Sequence, residues 1–104
     1  MYITNTETVP DGEIVDVLGI ARGNTVEAKN AGQDFTQGIR NIFGGELKAY
    51  SDLLSKARDE AITRMEDHTE EMGADAVVNV RLETSQITDG GSEVMAYGTA
   101  VRLR

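Results

Sequence analysis

The one histidine of the chain, His68, is the first residue to consider for chemistry, because imidazole can bind a metal or carry a proton. It follows Arg64 by four residues and precedes Glu71 by three, so on a helix the three side chains would share one face. In a ring of identical subunits, symmetry would gather copies of His68 into a metal or proton site. The alternative is a surface or interface histidine on the polar side of the helix.

Glu46 is the second candidate, because it follows two glycines at the predicted start of a long helix. A carboxylate in the first turn interacts favourably with the helix dipole, which is ordinary helix-start chemistry. Alternatively, Gly44 and Gly45 open a small pocket in which exposed N–H groups bind an anion. Glu46 and His68 are also the two candidate ligands for a divalent metal ion, which is the cofactor to consider here.

Arg58 lies beside the apolar stripe of the same helix. A buried arginine needs a carboxylate partner, and Glu93 is the candidate for an ion pair within or between subunits. The alternative is an arginine that binds a substrate. Tyr97 and Thr99 could line a pocket with two hydroxyl groups, or they could be strand residues whose hydroxyls are satisfied locally.

Acidic residues are dense near the end of the helix, where oxygen ligands could bind Ca²⁺ or Mg²⁺. A solvated helix face explains the same run, which consists of Glu66, Asp67, Glu70 and Glu71. The chain has no cysteine nucleophile, no predicted Ser and Asp companions for its histidine, and no phosphate-binding loop. We therefore do not expect an enzyme; a hydrolase that uses Glu46, Arg58 or Glu93 has the least support.

Charge and composition exclude several classes of partner. The chain carries 18 acidic and 10 basic residues, a net charge of −8, which disfavours binding to nucleic acids and to anionic membranes. Its start has no basic segment followed by an apolar run, and no stretch approaches the roughly 20 apolar residues of a membrane span. The expected compartment is the cytoplasm, and the excess of acids with few lysines would suit a salty one.

A long amphipathic helix must position most of these candidates. It is predicted from Glu46 to Met72, and Gly73 is placed to end it. Its apolar positions advance in steps of three and four: Leu47, Tyr50, Leu53, Leu54, Ala57, Ala61, Ile62, Met65 and Met72. At 1.5 Å per residue the helix is about 40 Å long, whereas a compact chain of this length has a radius of gyration of about 13 Å. We therefore expect subunits to share the helix.

The other segments alternate or break in ways typical of strands, turns and one short helix. The sequence predicts a strand over Glu13–Arg22 that can continue after a kink through 24–28. Gly19 and Gly23 are predicted to share a face with Val15 and Val17. It further predicts a short helix over Asp34–Ile42. Strands over Ala76–Ile87 and Glu93–Leu103 would be joined by a turn at 89–92. The expected fold is α+β, with two layers.

Several blocks of residues are shared with a known family along nearly the whole chain. They are Gly44-Gly45-Glu46-Leu47 with Tyr50, Arg58, Gly73-Ala74-Asp75-Ala76-Val77-Val78, and Glu93-Val94-Met95-Ala96-Tyr97-Gly98-Thr99-Ala100-Val101. On these residues the chain resembles the YbjQ-like family, whose label is heavy-metal binding. The resemblance implies a β-α-β-β subunit with an antiparallel sheet, similar to a dodecin subunit, and a ring of five subunits joined by short extra strands.

One domain spanning residues 1–104, assembled as a homopentamer, is therefore the prediction, with a binding or assembly role. The alternative is a metal ion or small ligand at a symmetric site between subunits, although soft metals prefer the thiolate and imidazole ligands that are scarce here. The ligand or interface residues expected are Glu46, Tyr50, Arg58, Glu93, Tyr97, Gly98 and Thr99. Gly98→Val is expected to split the ring by overpacking a close backbone contact.

Overall fold

The computed structural model describes residues 1–26, 45–88 and 91–104. Within these ranges the elements are β1 (Tyr2–Ile3), β2 (Ile14–Val26), α1 (Gly45–Glu71), β3 (Ala76–Thr88) and β4 (Gly91–Leu103). The strands form one sheet in the order β1-β3-β4-β2, in which only the β1–β3 pair is parallel. The expectation of an antiparallel sheet in a β-α-β-β subunit is therefore wrong in one respect, because the short strand β1 adds to the edge of β3 and makes the sheet mixed. The helix packs on one face of this sheet, so the described chain has the α+β fold with one long helix that the sequence predicts. The short helix predicted over Asp34–Ile42 lies outside the described residues.

The long helix begins and ends within one residue of the prediction and contains 27 residues. Gly73, with a φ of 77°, ends it. The N–H of Gly73 donates to the carbonyl of Glu70 at 3.0 Å, and the N–H of Ala74 donates to that of Thr69 at 3.3 Å. These two bonds form a Schellman motif, which satisfies carbonyls that the helix end would leave unpaired.

Small side chains fill the core between α1 and the sheet. The helix contributes Ala57, Ala61 and Met65, all buried. The sheet contributes Ala21, Val77, Val94, Ala96 and Ala100. Because most of these side chains are short, the helix backbone comes close to the strands.

A register shift in β2 changes which residues face the helix. Val17 pairs with Val101, which belongs to a cluster on the face of the sheet opposite α1. Gly19, in contrast, pairs with Ala100, which belongs to the core under α1. The prediction that the strand glycines share a face with the preceding valines is therefore wrong. Leu18 is the extra residue that shifts the alternation, and Gly19 beside it has a φ of 131°.

The N-terminal segment covers one end of the outer face, the sheet surface opposite α1. Val9 packs there in a second buried cluster with Ala76, Val78 and Val101. A second shift of register lies in β3, where Asn79 has a φ of 55° and donates its N–H to the carbonyl of Thr6 at 2.9 Å. The sequence alone did not predict this N-terminal strap.

Candidate functional site at the edge of β2

Two side chains of α1 reach the free edge of β2, which is the last strand on its side of the described sheet. The backbone N–H of Arg22 donates to Nδ1 of His68 at 3.0 Å, and Nη1 of Arg64 donates to the carbonyl oxygen of Asn24 at 2.6 Å. A strand edge presents unpaired N–H and C=O groups, and these two bonds satisfy one of each. Arg64 and His68 can act together because residues four apart share one helix face.

The bond to Arg22 fixes the chemical state of His68. An imidazole nitrogen accepts a hydrogen bond only when it carries no proton, so the neutral ring must hold its proton on Nε2. A metal ligand needs an unprotonated nitrogen, and the ring nitrogen that does not bind the metal normally donates its N–H to a second partner. His68 as it stands in this structure therefore does not fit a metal at Nε2, and metal binding there would require the bond to Arg22 to break.

A chain of polar contacts continues from Arg64 across the sheet. Its Nη2 lies 2.8 Å from Oε1 of Glu60, one turn earlier on the helix. Asn24 then donates from Nδ2 to Oε2 of Glu93 on β4 at 3.1 Å. Both side chains of the Glu60–Arg64 pair are about half exposed, so the pair itself contributes at most about 1 kcal/mol. Its effect is to orient the guanidinium towards Asn24.

Arg58 and Glu93 do not form the predicted ion pair within the described part of one chain, and a pair between subunits stays a prediction. Arg58 is exposed on the helix, and within the described ranges it forms no ion pair with Glu93. Because the Arg58 guanidinium stays in water, it has no desolvation penalty and does not need a carboxylate partner. The sequence placed Arg64 on one helix face with His68 but could not identify its partner, because that partner is a backbone carbonyl 40 residues away. The available signal was the spacing of four that joins Glu60, Arg64 and His68.

Tyr97 lies on the outer face of the sheet and donates its hydroxyl hydrogen to Oε1 of Glu83 at 3.0 Å. This hydrogen bond to the carboxylate raises the pKa of the Tyr97 phenol, and desolvation and the Glu83 charge add to the rise, while Arg81 opposes it. Thr99 is half-buried two residues further along β4, on the same face. The two hydroxyl residues are thus neighbours on a sheet surface.

The close contact at Gly98 lies inside the chain. Gly98 is buried, and a Cβ atom there would stand 2.7 Å from Cγ2 of Val77 and 2.8 Å from the carbonyl oxygen of Val78. The neighbouring strand β3 therefore accounts for the glycine. A contact of Gly98 with another subunit stays a prediction.

The remaining candidates give no cluster of metal ligands in the described chain. Glu46 and Tyr50 lie in the first two turns of α1, and their side chains are outside the described part. Among the acids near the helix end, Glu66 is half-buried and the others are exposed. Within the described residues no three His, Cys, Asp or Glu side chains are grouped to hold a metal ion. The chain has no cysteine, so it cannot supply the thiolate ligands that heavy metals prefer.

Comparison with known proteins gives matches over the whole length. The family model YbjQ_1, described as "Putative heavy-metal-binding", matches residues 1–104. A UPF0145 protein of Natronomonas pharaonis is 77% identical over 104 residues, which is 100% of both chains. A UPF0145 protein of Archaeoglobus fulgidus is 54% identical over 104 residues, 100% of this chain and 96% of the relative.

One solved structure supports the fold. The crystal structure of a protein of unknown function from Pediococcus pentosaceus, described as a member of the DUF74 family, has a TM-score of 0.61 and 18% sequence identity. The match covers 100% of this chain and 98% of that chain. Within the part of the chain that the structure describes, no helix is both long and apolar enough to cross a membrane.

Proposed function

This chain belongs to the YbjQ-like family, and we propose that it is a homo-oligomeric binding or assembly module that works without catalysis. The resemblance supports five subunits in a closed ring. The observation that carries the proposal is a pair of exposed apolar side chains on β2. Val17 is 69% exposed and Ile20 is 70% exposed.

Both side chains belong to the outer face of the sheet, because their partners on β4 are Val101 and Thr99. The N-terminal strap covers the Val101 end of that face through Val9. Burial of a large aliphatic side chain stabilises by roughly 1.5–3 kcal/mol, so a subunit contact over Val17 and Ile20 would be favourable. This surface is our candidate for the contact between neighbours.

The elongated shape of the chain supports packing between neighbouring subunits. Its radius of gyration is 16.6 Å and its extents are 53 × 25 × 16 Å. A compact chain of about 100 residues has a radius of gyration of about 13 Å. An elongated subunit with a 27-residue helix leaves much surface that neighbours in a ring could cover.

Native mass spectrometry of the untagged protein tests the proposal. We expect a mass of five chains for the wild type and a shift to smaller species for the double variant Val17→Ser, Ile20→Ser. Leu82→Ser is the matched control. Leu82 is also exposed, at 44%, but it lies on β3 and pairs with Ala96, so it belongs to the face of the sheet that carries α1. A wild-type monomer at micromolar concentration would overturn the oligomer, and an intact pentamer of the double variant would overturn the assigned surface.

The family's description supports a second candidate, a divalent metal ion or small ligand at a site repeated by symmetry between subunits. Such a site would need donors from several chains, for example copies of Glu46 or of His68 released from Arg22. Metal analysis of untagged protein is the test, with His68→Ala and Glu46→Ala as variants. A stoichiometric metal that one variant loses would support the site, and metal-free protein that binds no added Zn²⁺ would exclude it.

A further inference from the structure

We propose that the N-terminal strap, residues 5–12, opens as a unit and competes with a second copy of the chain for the outer face of the sheet. The competition rests on the proposed assembly, whereas the opening of the strap does not. The observation that carries the inference is that the residues under the strap and the exposed residues of β2 lie in the same rows across the sheet.

The outer face is crossed by two rows of paired residues that run from β3 through β4 to β2. Their members are Ala76, Val101 and Val17 in one row, and Val78, Thr99 and Ile20 in the other. Val9 of the strap packs on the β3 and β4 side of these rows, where Ala76, Val78 and Val101 are buried. The β2 members, Val17 and Ile20, are exposed. The strap therefore covers one half of an apolar surface whose other half stays open.

Few contacts hold the strap closed. Val9 is its one buried side chain. The carbonyl oxygen of Asn5 accepts a hydrogen bond from Nη1 of Arg81 at 3.3 Å, and that of Thr6 accepts from the N–H of Asn79 at 2.9 Å. Segments with few buried apolar contacts and solvent-exposed backbone bonds open locally at a lower free energy than the whole domain. The strap has both properties, so we expect it to open while the sheet stays folded.

Both ends of the strap are anchored, so it opens as a loop. Thr4, before the strap, donates its N–H to the carbonyl of Val77 at 3.1 Å and accepts from the N–H of Val80 at 3.0 Å. Ile14, after the strap, begins β2. Two adjacent amides on β3 thus report on different units. The Asn79 amide is bonded to the strap, whereas the Val80 amide is bonded to the anchored Thr4.

Opening of the strap would uncover Val78 and Val101 beside Val17 and Ile20. A second copy that docks on Val17 and Ile20 could then bury both rows in full, and burial of apolar area is the main drive for association. The closed strap occupies half of that surface. If only open chains associate, the apparent dissociation constant is the intrinsic constant divided by the open fraction. A change that raises the open fraction therefore tightens association.

Amide hydrogen exchange of the full-length protein, followed by NMR at constant pH in increasing urea, tests the opening. We expect exchange at Asn79 to depend weakly on urea and exchange at Val80 to depend steeply on it, because the slope follows the surface exposed. Val9→Ala should speed exchange at Asn79 about tenfold, since two buried methyl groups are lost, and should leave Val80 unchanged. Thr8→Ala, a change to the exposed neighbour of Val9, is the matched control and should alter neither amide. Equal changes at Asn79 and Val80 would overturn the opening.

Native mass spectrometry over a dilution series tests the competition through the concentration at which half of the chains are assembled. Val9→Ala should lower that concentration about tenfold or more, and Thr8→Ala should not change it. Val9→Thr keeps the side-chain shape but buries a hydroxyl, so this second variant should shift both readouts in the same direction. An unchanged or higher concentration for Val9→Ala would overturn the competition. Wild type and variant that both stay monomeric would overturn the proposed oligomer and the competition together, whereas exchange at Asn79 would still decide the opening.

Discussion

The backbone of α1 crosses β2 at Gly23, where the amide nitrogen of Met65 occupies the space that a Cβ atom on Gly23 would need. Such an atom would also stand 2.5 Å from the carbonyl oxygen of Ala61. Met65 and Ala61 are themselves fully buried. Because the obstacle is helix backbone, glycine is the residue that allows this approach of helix to strand. The contact lies in the helix turn that carries Arg64, and it includes the carbonyl carbon of Arg64 itself.

Gly23→Ala is therefore expected to destabilise the chain strongly. Overpacking of a core usually costs about 1–3 kcal/mol, and we expect a loss of about 3 kcal/mol because a helix backbone cannot yield as a side chain does. That is a large part of the roughly 5–15 kcal/mol that holds a domain folded. The measurement is urea unfolding followed by circular dichroism.

Gly12→Ala is the matched control for that substitution. A Cβ atom at Gly12 would stand 2.9 Å from Cδ1 of Leu103, which is the far end of a flexible side chain. Leu103 can move aside, so the loss should stay below about 1 kcal/mol. If Gly23→Ala destabilises no more than Gly12→Ala, the close helix–strand contact is not real.

Gly98→Val should act on the fold of each chain. A Cβ atom alone would press on Val77 and on the backbone of Val78, and valine adds two methyl groups to that conflict. We expect a loss of about 2–3 kcal/mol in thermal melting, and Gly98→Ala should show part of it. Native mass spectrometry gives the second readout. Folded monomers with unchanged melting would instead place Gly98 at a subunit contact, as the sequence first suggested.

The parts of the fold that could be predicted from sequence are those with a long, unbroken period. The stripe from Ala57 to Met65 advances in threes and fours and Gly73 closes it, so α1 was predicted within one residue at each end. The strand β4 alternates cleanly and was predicted to its last residue, Leu103. The shift at Leu18 could not be predicted, because a bulge has the same residue types as the strand around it.

The candidate site was predicted less well because it uses backbone groups as partners. Every residue except proline supplies both an N–H and a C=O, so nothing in the sequence marks Arg22 or Asn24 as partners of residues 46 and 40 positions away. The predicted pair of Arg58 with Glu93 assumed that Arg58 is buried, whereas Arg58 is exposed. The structure shows that Asn24, a neutral side chain, bonds to Glu93 instead.

Asn79 provides a test of the bulge that receives the N-terminal strap. Its φ of 55° lies in the left-handed region, where asparagine and glycine are tolerated and β-branched residues are strained. Asn79→Val should cost about 1–3 kcal/mol, whereas Asn79→Gly should change stability by less than about 1 kcal/mol. Thermal melting of both variants is the measurement. Equal melting temperatures would show that this residue does not need the left-handed conformation.

The ionisation of Tyr97 offers a test of the outer face at alkaline pH. Its hydrogen bond to Glu83 raises the phenol pKa above the ordinary value, because ionisation would remove the donated hydrogen and place two negative charges together. The folded state therefore holds this proton more tightly than the unfolded state does. The resulting stability is fully present below the ordinary tyrosine pKa of about 10 and is lost as the pH rises through the folded value.

Ultraviolet difference spectroscopy can follow that ionisation in a Tyr2→Phe, Tyr50→Phe background, which leaves Tyr97 as the one tyrosine. Glu83→Gln should lower the midpoint, since a neutral amide removes both the charged acceptor and the repulsion between the two anions. Glu93→Gln is the matched control, because that acid bonds to Asn24 and not to Tyr97. If Glu93→Gln lowers the ionisation midpoint of Tyr97 as much as Glu83→Gln does, the raised pKa comes from the net negative charge of the chain. The contact between Tyr97 and Glu83 would then not be its cause.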